Sequence, residues 1–311
     1  MNQVDKVAVC SRSFSLNKIL RTELLSKYKN VTFNDSGVSL SGDSLISFLS
    51  GHSMAITALE IIDDHVLSSL PDLKVIGKYG VGLDMIDLKS MKKHNKYLGW
   101  KSGVNKRSVS ELSLLLALSI VHKAFEANNE VLLNNWHQVK GSQLSEKIFG
   151  IIGCGNVGKD LIKLLQPFNC KILVHDIESY DSFYDQYSIE AVSLDYLIST
   201  SDIISLHIPS NEETKNIISS EKIFSMKKGS FLINTARGGL VDEDALENAL
   251  IKKHLAGAAF DVFSQEPPTN MSLIQLPNFI ATPHIGGSTE EAILMMGRAA
   301  IDGLESTYIP E

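Results

Sequence analysis

Ile148 to Asp160 reads I-F-G-I-I-G-C-G-N-V-G-K-D. The apolar run Ile148 to Ile152 leads directly into Gly153, Gly155 and Gly158, which stand in G-x-G-x-x-G spacing. A helix-compatible stretch follows, in which Leu161, Ile162, Leu164 and Leu165 make one apolar face before Pro167 ends the pattern. The first glycine permits a tight strand-to-helix turn, the second lets a pyrophosphate approach the backbone, and the third lets helix and strand pack closely. The helix start then offers free N–H groups and partial positive charge to the phosphates. A second apolar run, Lys171 to His175, ends in Asp176, 18 residues beyond Gly158. A carboxylate there accepts ribose hydroxyls and repels a 2′-phosphate, which points to NAD rather than NADP.

Upstream, the first hundred residues read as a separate α/β unit. Val7 to Cys10, Met54 to Thr57 and Lys74 to Gly77 are expected strands. Leu16 to Tyr28 is an expected helix, and another ends before Pro71. Alternating strands and helices imply a parallel sheet covered on both faces, with ligands beyond the carboxyl ends of its strands. Those ends carry Ser11-Arg12, Thr57-Ala58 and K-Y-G-V-G-L-D-M-I-D from Lys78 to Asp87, where Gly80 and Gly82 would leave N–H groups for an anion. Ser102-Gly103 reads as a hinge. From Ser108 a helix of more than twenty residues is expected, with Ser108 and Glu111 as a capping box. Its apolar residues cover more than one stripe, which suits a subunit interface or a central core helix equally.

Downstream come further βα units: Leu194 to Ile198, Ile203 to Leu206 ending in H-I-P, and Ser230 to Ile233. His207 there reads as structural rather than catalytic. Three charged residues follow expected strands: Arg237 in I-N-T-A-R-G-G-L-V-D-E, Glu266 in A-F-D-V-F-S-Q-E-P-P, and His284 in A-T-P-H-I-G-G-S-T. Arginine can hold a carboxylate by two parallel hydrogen bonds. Hydride transfer between nicotinamide and a 2-oxo acid needs a cation for the carboxylate, a proton donor for the ketone oxygen and a group that keeps that donor charged. Arg237, His284 and Glu266 supply these.

The composition fits such an enzyme. At 311 residues the chain suits two domains, and 44% apolar with 21% charged residues is ordinary for a globular protein. A net charge of −7 argues against nucleic acid or an anionic membrane as partner. Met1 to Lys6 carries no signal-peptide pattern, and no apolar stretch approaches a membrane span, so the expected location is the cytoplasm. Cys10, Cys154 and Cys170 are scattered thiols without metal-ligand spacing, consistent with a reducing compartment and no metal.

G-I-I-G-C-G-N-V-G, N-T-A-R-G-G-L-V-D-E, A-A-F-D-V-F-S-Q-E-P and T-P-H-I-G-G-S stand in the order of one family, and K-Y-G-V-G-L-D-M-I-D and S-G-V-N-K-R-S-V-S-E-L upstream extend the match. The sequence resembles the D-isomer-specific 2-hydroxyacid dehydrogenases over nearly its whole length, and most of all their phosphoglycerate dehydrogenase branch. The resemblance implies an α/β fold of two doubly wound parallel-sheet domains. A Rossmann NAD domain, 102–284, is inserted in a flavodoxin-like substrate domain made of 1–101 and 285–311. It implies Arg237 as the carboxylate clamp, His284 as general acid/base and Glu266 as its partner. Cofactor contacts are implied at Gly153, Gly155, Asn156, Val157, Gly158, Asp176, His207, Pro209, Thr235, Ala236, Asp261 and Gly286, with Asp261 near the nicotinamide carboxamide. Substrate contacts are implied at Lys78, Gly80, Val81, Gly82 and Arg237, and a homodimer through the helix from Ser108.

Departures from the branch bear on the substrate. Thr57-Ala58 replaces a frequent Arg-Ser pair, Lys78 stands where Arg is usual, and Arg12 is a further candidate cation. Glu146 replaces a usual glycine in a turn. The expected substrate is 3-phosphoglycerate, with glyoxylate/hydroxypyruvate reduction as the alternative. An NAD-binding corepressor-like scaffold is a reading of a different class. A formate-type dehydrogenase would carry Gln where Glu266 stands.

Overall fold

A computed structural model describes residues 5–310. Met1 to Val4, part of the N-terminal reading above, and Glu311 lie outside the described residues. The chain divides into two compact units, Lys106–Gly287 and the segments before and after it, which join as one. The changeovers fall at Asn105/Lys106 and Gly287/Ser288.

The flanking unit holds five parallel strands in the order Asn30–Phe33, Lys6–Val9, Met54–Thr57, Val75–Lys78, Tyr97–Gly99. In sequence numbering this is 2-1-3-4-5, the flavodoxin-like doubly wound order. The C-terminal helix Glu290–Asp302 returns to this sheet. Glycines let it in: a Cβ on Gly77 would lie 2.6 Å from the Ala300 carbonyl oxygen, and one on Gly297 would lie 2.3 Å from Leu20. Arg298 closes the contact by a forked pair to Glu23, with Nη2 at 2.8 Å and Nε at 3.1 Å.

The Lys106–Gly287 unit holds seven parallel strands in the order Phe279–Ala281, Gly257–Phe260, Phe231–Asn234, Ile203–Leu206, Ile148–Ile152, Lys171–His175, Glu190–Ala191. This is the Rossmann order extended by a seventh strand, and it reverses between Ile148–Ile152 and Ile203–Leu206. The inner strands are buried on both faces, which is why they read as unbroken apolar runs. Full burial of each Ile or Leu contributes about 1.5–3 kcal/mol.

Several boundaries differ from the sequence reading. Three strands slip by one residue, to Lys6–Val9, Val75–Lys78 and Phe231–Asn234. Leu194–Thr200 is a helix capped by Ser193, and the strand before it is only Glu190–Ala191. Leu16 to Tyr28 is interrupted: Arg12–Leu16 ends and Asn17, accepting from Ile19 and Leu20, caps a new helix Lys18–Lys27. The long helix begins at Lys106, so Ser108 lies inside it and forms no capping box with Glu111. It also breaks after Val121, where the Val121 carbonyl accepts from Ser142 instead of the next turn and Lys123 turns left-handed at φ 56°. Gly141 permits that approach, since a Cβ there would meet Val121 at 2.7 Å. A second helix, Ala124–Leu132, leaves at 64°. Among the described residues no single helix is long and apolar enough to cross a membrane.

Candidate active site

Each sequence-named residue of the second unit lies at the carboxyl edge of its sheet. Gly153 follows Ile148–Ile152 with φ 99°, and a Cβ there would collide with the His207 carbonyl at 2.5 Å. A Cβ on Gly158 would lie 2.1 Å from the Gly153 carbonyl, so this glycine sets the helix against the strand. Gly155 differs: nothing lies within 4 Å of its Cβ position. It stands at the N-cap of helix Asn156–Leu165, and among the described residues no side chain bonds to the helix start. Open space and unclaimed N–H groups at a helix N-terminus fit a pyrophosphate. Asn156 and Val157 form the first turn of that helix.

Asp176 ends the neighbouring strand and accepts from the Cys154 and Glu178 amides, which fixes its carboxylate beside the loop. Each oxygen keeps a lone pair for a ribose hydroxyl. Cys154 is fully buried, and that burial pushes its thiol up to about 11, the state of a filler rather than a nucleophile.

His207 and Pro209 follow Ile203–Leu206 on the other side of the switch point. The His207 Nε2 lies 2.9 Å from Ser205 Oγ, and its Nδ1 is shut from water with no partner among the described residues. Although the residue keeps some surface, desolvation of the ring lowers it to about 3, so it stays neutral.

Of the three charged residues, Glu266 and His284 pair, and Arg237 stands on a loop packed against the one that carries Glu266. Arg237 follows Phe231–Asn234, and Asn234, a residue the sequence reading passed over, shapes its loop. The Asn234 Nδ2 donates to the Arg237 carbonyl at 2.8 Å, and its Oδ1 accepts from Ala236 at 3.1 Å. The Arg237 Nη1 also donates to the Ala236 carbonyl at 2.7 Å. Behind it, a Cβ on Gly238 would lie 1.8 Å from the Phe263 carbonyl, so this loop packs against the one that carries Glu266.

Glu266 accepts from the Phe263 amide at 3.1 Å through Oε1 and faces His284 Nδ1 at 2.7 Å through Oε2. Both side chains keep surface, 38% and 48%, as groups that must meet a ligand require. His284 sits at φ 55°. Buried Asp261 holds that left-handed turn: its Oδ1 accepts from Thr282 Oγ1 and Ile285, and its Oδ2 accepts from Gly286 at 2.8 Å. Thus Asp261 and the Gly286 amide bond to each other within the protein. Thr235 is likewise engaged, 2.7 Å from Ser113.

In the flanking unit Lys78 ends its strand, is almost fully buried and donates through Nζ to the Ala58 carbonyl. The Ala58 amide in turn donates to Glu60 Oε2 at 2.6 Å. Gly80 adopts φ 128°, and the Val81 carbonyl accepts from Trp100 Nε1 at 2.9 Å. Arg12 is exposed at the start of helix Arg12–Leu16.

A Rossmann sheet with an open glycine loop, an acidic residue on the neighbouring strand and an Arg, Glu, His set along one edge defines an NAD-dependent oxidoreductase. Comparison with known proteins narrows the class. The family profile "D-isomer specific 2-hydroxyacid dehydrogenase, NAD binding domain" matches residues 114–286. A glyoxylate reductase of Thermofilum pendens is 38% identical over 78% of this chain and 74% of its own length. A D-3-phosphoglycerate dehydrogenase of Bacillus subtilis is 35% identical over 76% of this chain, which spans 46% of that protein. The crystal structure of D-lactate dehydrogenase from Aquifex aeolicus, complexed with NAD and lactic acid, superposes with TM-score 0.84 at 26% identity, covering 97% of this chain and 95% of that one. The chain belongs to the D-isomer specific 2-hydroxyacid dehydrogenase family and is an NAD-dependent 2-hydroxyacid oxidoreductase.

Proposed function

We propose that the chain reduces a small, unphosphorylated 2-oxo acid such as glyoxylate or hydroxypyruvate, with Lys106–Gly287 as nucleotide unit and the flanking unit as substrate unit. The observation that carries the chemistry is the 2.7 Å pair between His284 Nδ1 and Glu266 Oε2. With Nδ1 committed to the carboxylate, Nε2 is the nitrogen that gives its proton to the substrate oxygen. Glu266 orients the ring and stabilises the imidazolium that donates. Arg237 holds the substrate carboxylate. NADH, when bound at the glycine loop, supplies the hydride to C2.

Two contacts support an unphosphorylated substrate. Lys78 and the Ala58 amide, which stand where the branch meets a phosphate, already bond to the Ala58 carbonyl and to Glu60. The Glu60 carboxylate also places negative charge at this edge. Phosphoglycerate oxidation is the second reading, favoured by exposed Arg12 at the same edge and by the similarity to the Bacillus subtilis enzyme.

The same reading makes the protein a cytoplasmic homodimer. Along the bent pair of helices and the connection after it, Phe125, Val131, Leu132 and Leu133 are 46–72% exposed and Trp136 is 91% exposed. Such apolar surface is the kind a second copy covers.

The deciding experiment is NADH oxidation against glyoxylate, hydroxypyruvate, pyruvate and 3-phosphohydroxypyruvate, with Arg237→Ala beside the wild type. Preference for the unphosphorylated acids, lost with Arg237→Ala, supports the proposal. Preference for the phosphorylated acid assigns the second reading. Tight NADH binding with no turnover at all moves the protein to a binding role.

A further inference from the structure

Helix Lys106–Val121 carries serines at 108, 110, 113 and 119, all buried. Serine is a weak former of helix interiors, because its hydroxyl competes for backbone groups, and a buried hydroxyl without a partner is costly. Three of the four bond away from their own helix: two reach loops after strands, and one reaches the helix that follows the glycine loop. Ser108 Oγ donates to the Gly286 carbonyl at 2.6 Å. Ser110 Oγ has two acceptors, the Arg107 carbonyl of its own helix at 3.0 Å and Asp160 Oδ2 at 2.6 Å, and the shorter contact to the charged oxygen takes its proton; the Arg107 guanidinium grips the same carboxylate through Nε and Nη2 at 2.9 and 3.0 Å. Ser113 Oγ lies 2.7 Å from Thr235 Oγ1. A hydroxyl has one proton, and Ser113 is placed to give its own to the Val109 carbonyl at 2.8 Å, so Thr235 is the donor across the pair.

The partners share a position. Gly286 stands two residues after His284, Thr235 two residues before Arg237, and Asp160 two residues after Gly158. We infer that Ser108, Ser110 and Ser113 are positioning residues: one helix sets, through three separate hydroxyls, the proton donor, the carboxylate clamp and the phosphate loop. Burial alone does not require this pattern. Alanine would fill the same volumes and favour the helix more, whereas removing a hydroxyl leaves the Gly286 carbonyl, Asp160 or Thr235 short of a partner.

The inference rests on the activity assigned above, and its test separates the two. Ser108→Ala, Ser110→Ala and Ser113→Ala are compared by kcat and KM for the 2-oxo acid the wild type turns over, and by the NADH Kd from fluorescence titration. Loss of one buried hydrogen bond corresponds to about a tenfold change. Ser108→Ala should lower kcat by about tenfold with KM and Kd nearly unchanged. Ser113→Ala should raise KM, and Ser110→Ala should raise the NADH Kd, each by about the same factor. Thr235→Val should match Ser113→Ala, and the double variant should be no worse than either, as one shared interaction demands. If a variant does not fold, Ser→Cys at that position, which keeps a weak donor in a slightly larger side chain, should move the same parameter by a smaller factor. Uniform loss of all three parameters, loss of thermal stability alone, or additive effects of Ser113→Ala and Thr235→Val overturn the inference. A wild type that binds NADH but turns over no 2-oxo acid defeats the assigned substrate class instead, and the effect of Ser110→Ala on Kd still tests the helix.

Discussion

His284 Nδ1 stands 2.7 Å from Glu266 Oε2 although 18 positions separate them in the chain. The contact engages Nδ1 and leaves Nε2 as the nitrogen that the proposed proton transfer uses. His284→Ala should lower kcat by about 10²–10⁴-fold while NADH binding persists, because positioned proton transfer is worth that much. Glu266→Gln should give a smaller loss, since an amide still orients the ring but carries no charge to stabilise the imidazolium. Turnover by His284→Ala equal to wild type would remove it from proton transfer.

Gly155 and Gly158 predict opposite behaviour from one substitution. A methyl on Gly155 meets nothing within 4 Å, so Gly155→Ala should keep the thermal midpoint and weaken NADH binding. A methyl on Gly158 would lie 2.1 Å from the Gly153 carbonyl, so Gly158→Ala should destabilise the unit by about 1–3 kcal/mol before any cofactor is added. Thermal melts of both apo variants with NADH titrations of each check the pair; wild-type NADH affinity in Gly155→Ala would move the pyrophosphate elsewhere.

Burial holds the folded His207 at about 3, below the 6.5 of an exposed imidazole. Between those values the unfolded chain binds the extra proton, so this residue makes stability fall as pH drops from about 6.5 towards 3. The contribution is fully present above the unfolded value. Urea unfolding at pH 7 and pH 5 should show a larger loss in wild type than in His207→Gln. Equal losses would mean that the ring is protonated in the folded state.

Glu146 adopts φ 65° where its amide bonds to the Phe168 carbonyl at 3.3 Å. The left-handed region costs a side-chain-bearing residue about 1–2 kcal/mol, and glycine offsets part of that gain by its entropy in the unfolded chain. Glu146→Gly should therefore stabilise the protein by up to about 1 kcal/mol with kcat unchanged. A lower melting temperature would show that the Glu146 side chain contributes more than the turn costs.

The strand-loop-helix at Ile148–Asp160 and the alternation of strands and helices were legible in the sequence, which also named Glu266 and His284, the residues the structure pairs. They depend on local periodicity, glycine conformation and side-chain chemistry, which travel with the residues themselves. Strand ends slipped by a residue because apolar runs do not mark where pairing stops. The helix break at Val121 was hidden because its cause is Ser142, 21 positions away, taking a carbonyl that the helix would otherwise use. Asn234 carried no signal and Ser108 was read as a helix cap, since a serine or asparagine in a sequence gives no hint of its partner. Sequence determined which chemical groups this protein carries at its candidate site. Only the tertiary structure decided which nitrogen of His284 is free, that Asp261 shapes the His284 turn, and that Lys78 is already committed, because burial and hydrogen bonding between distant segments set all three.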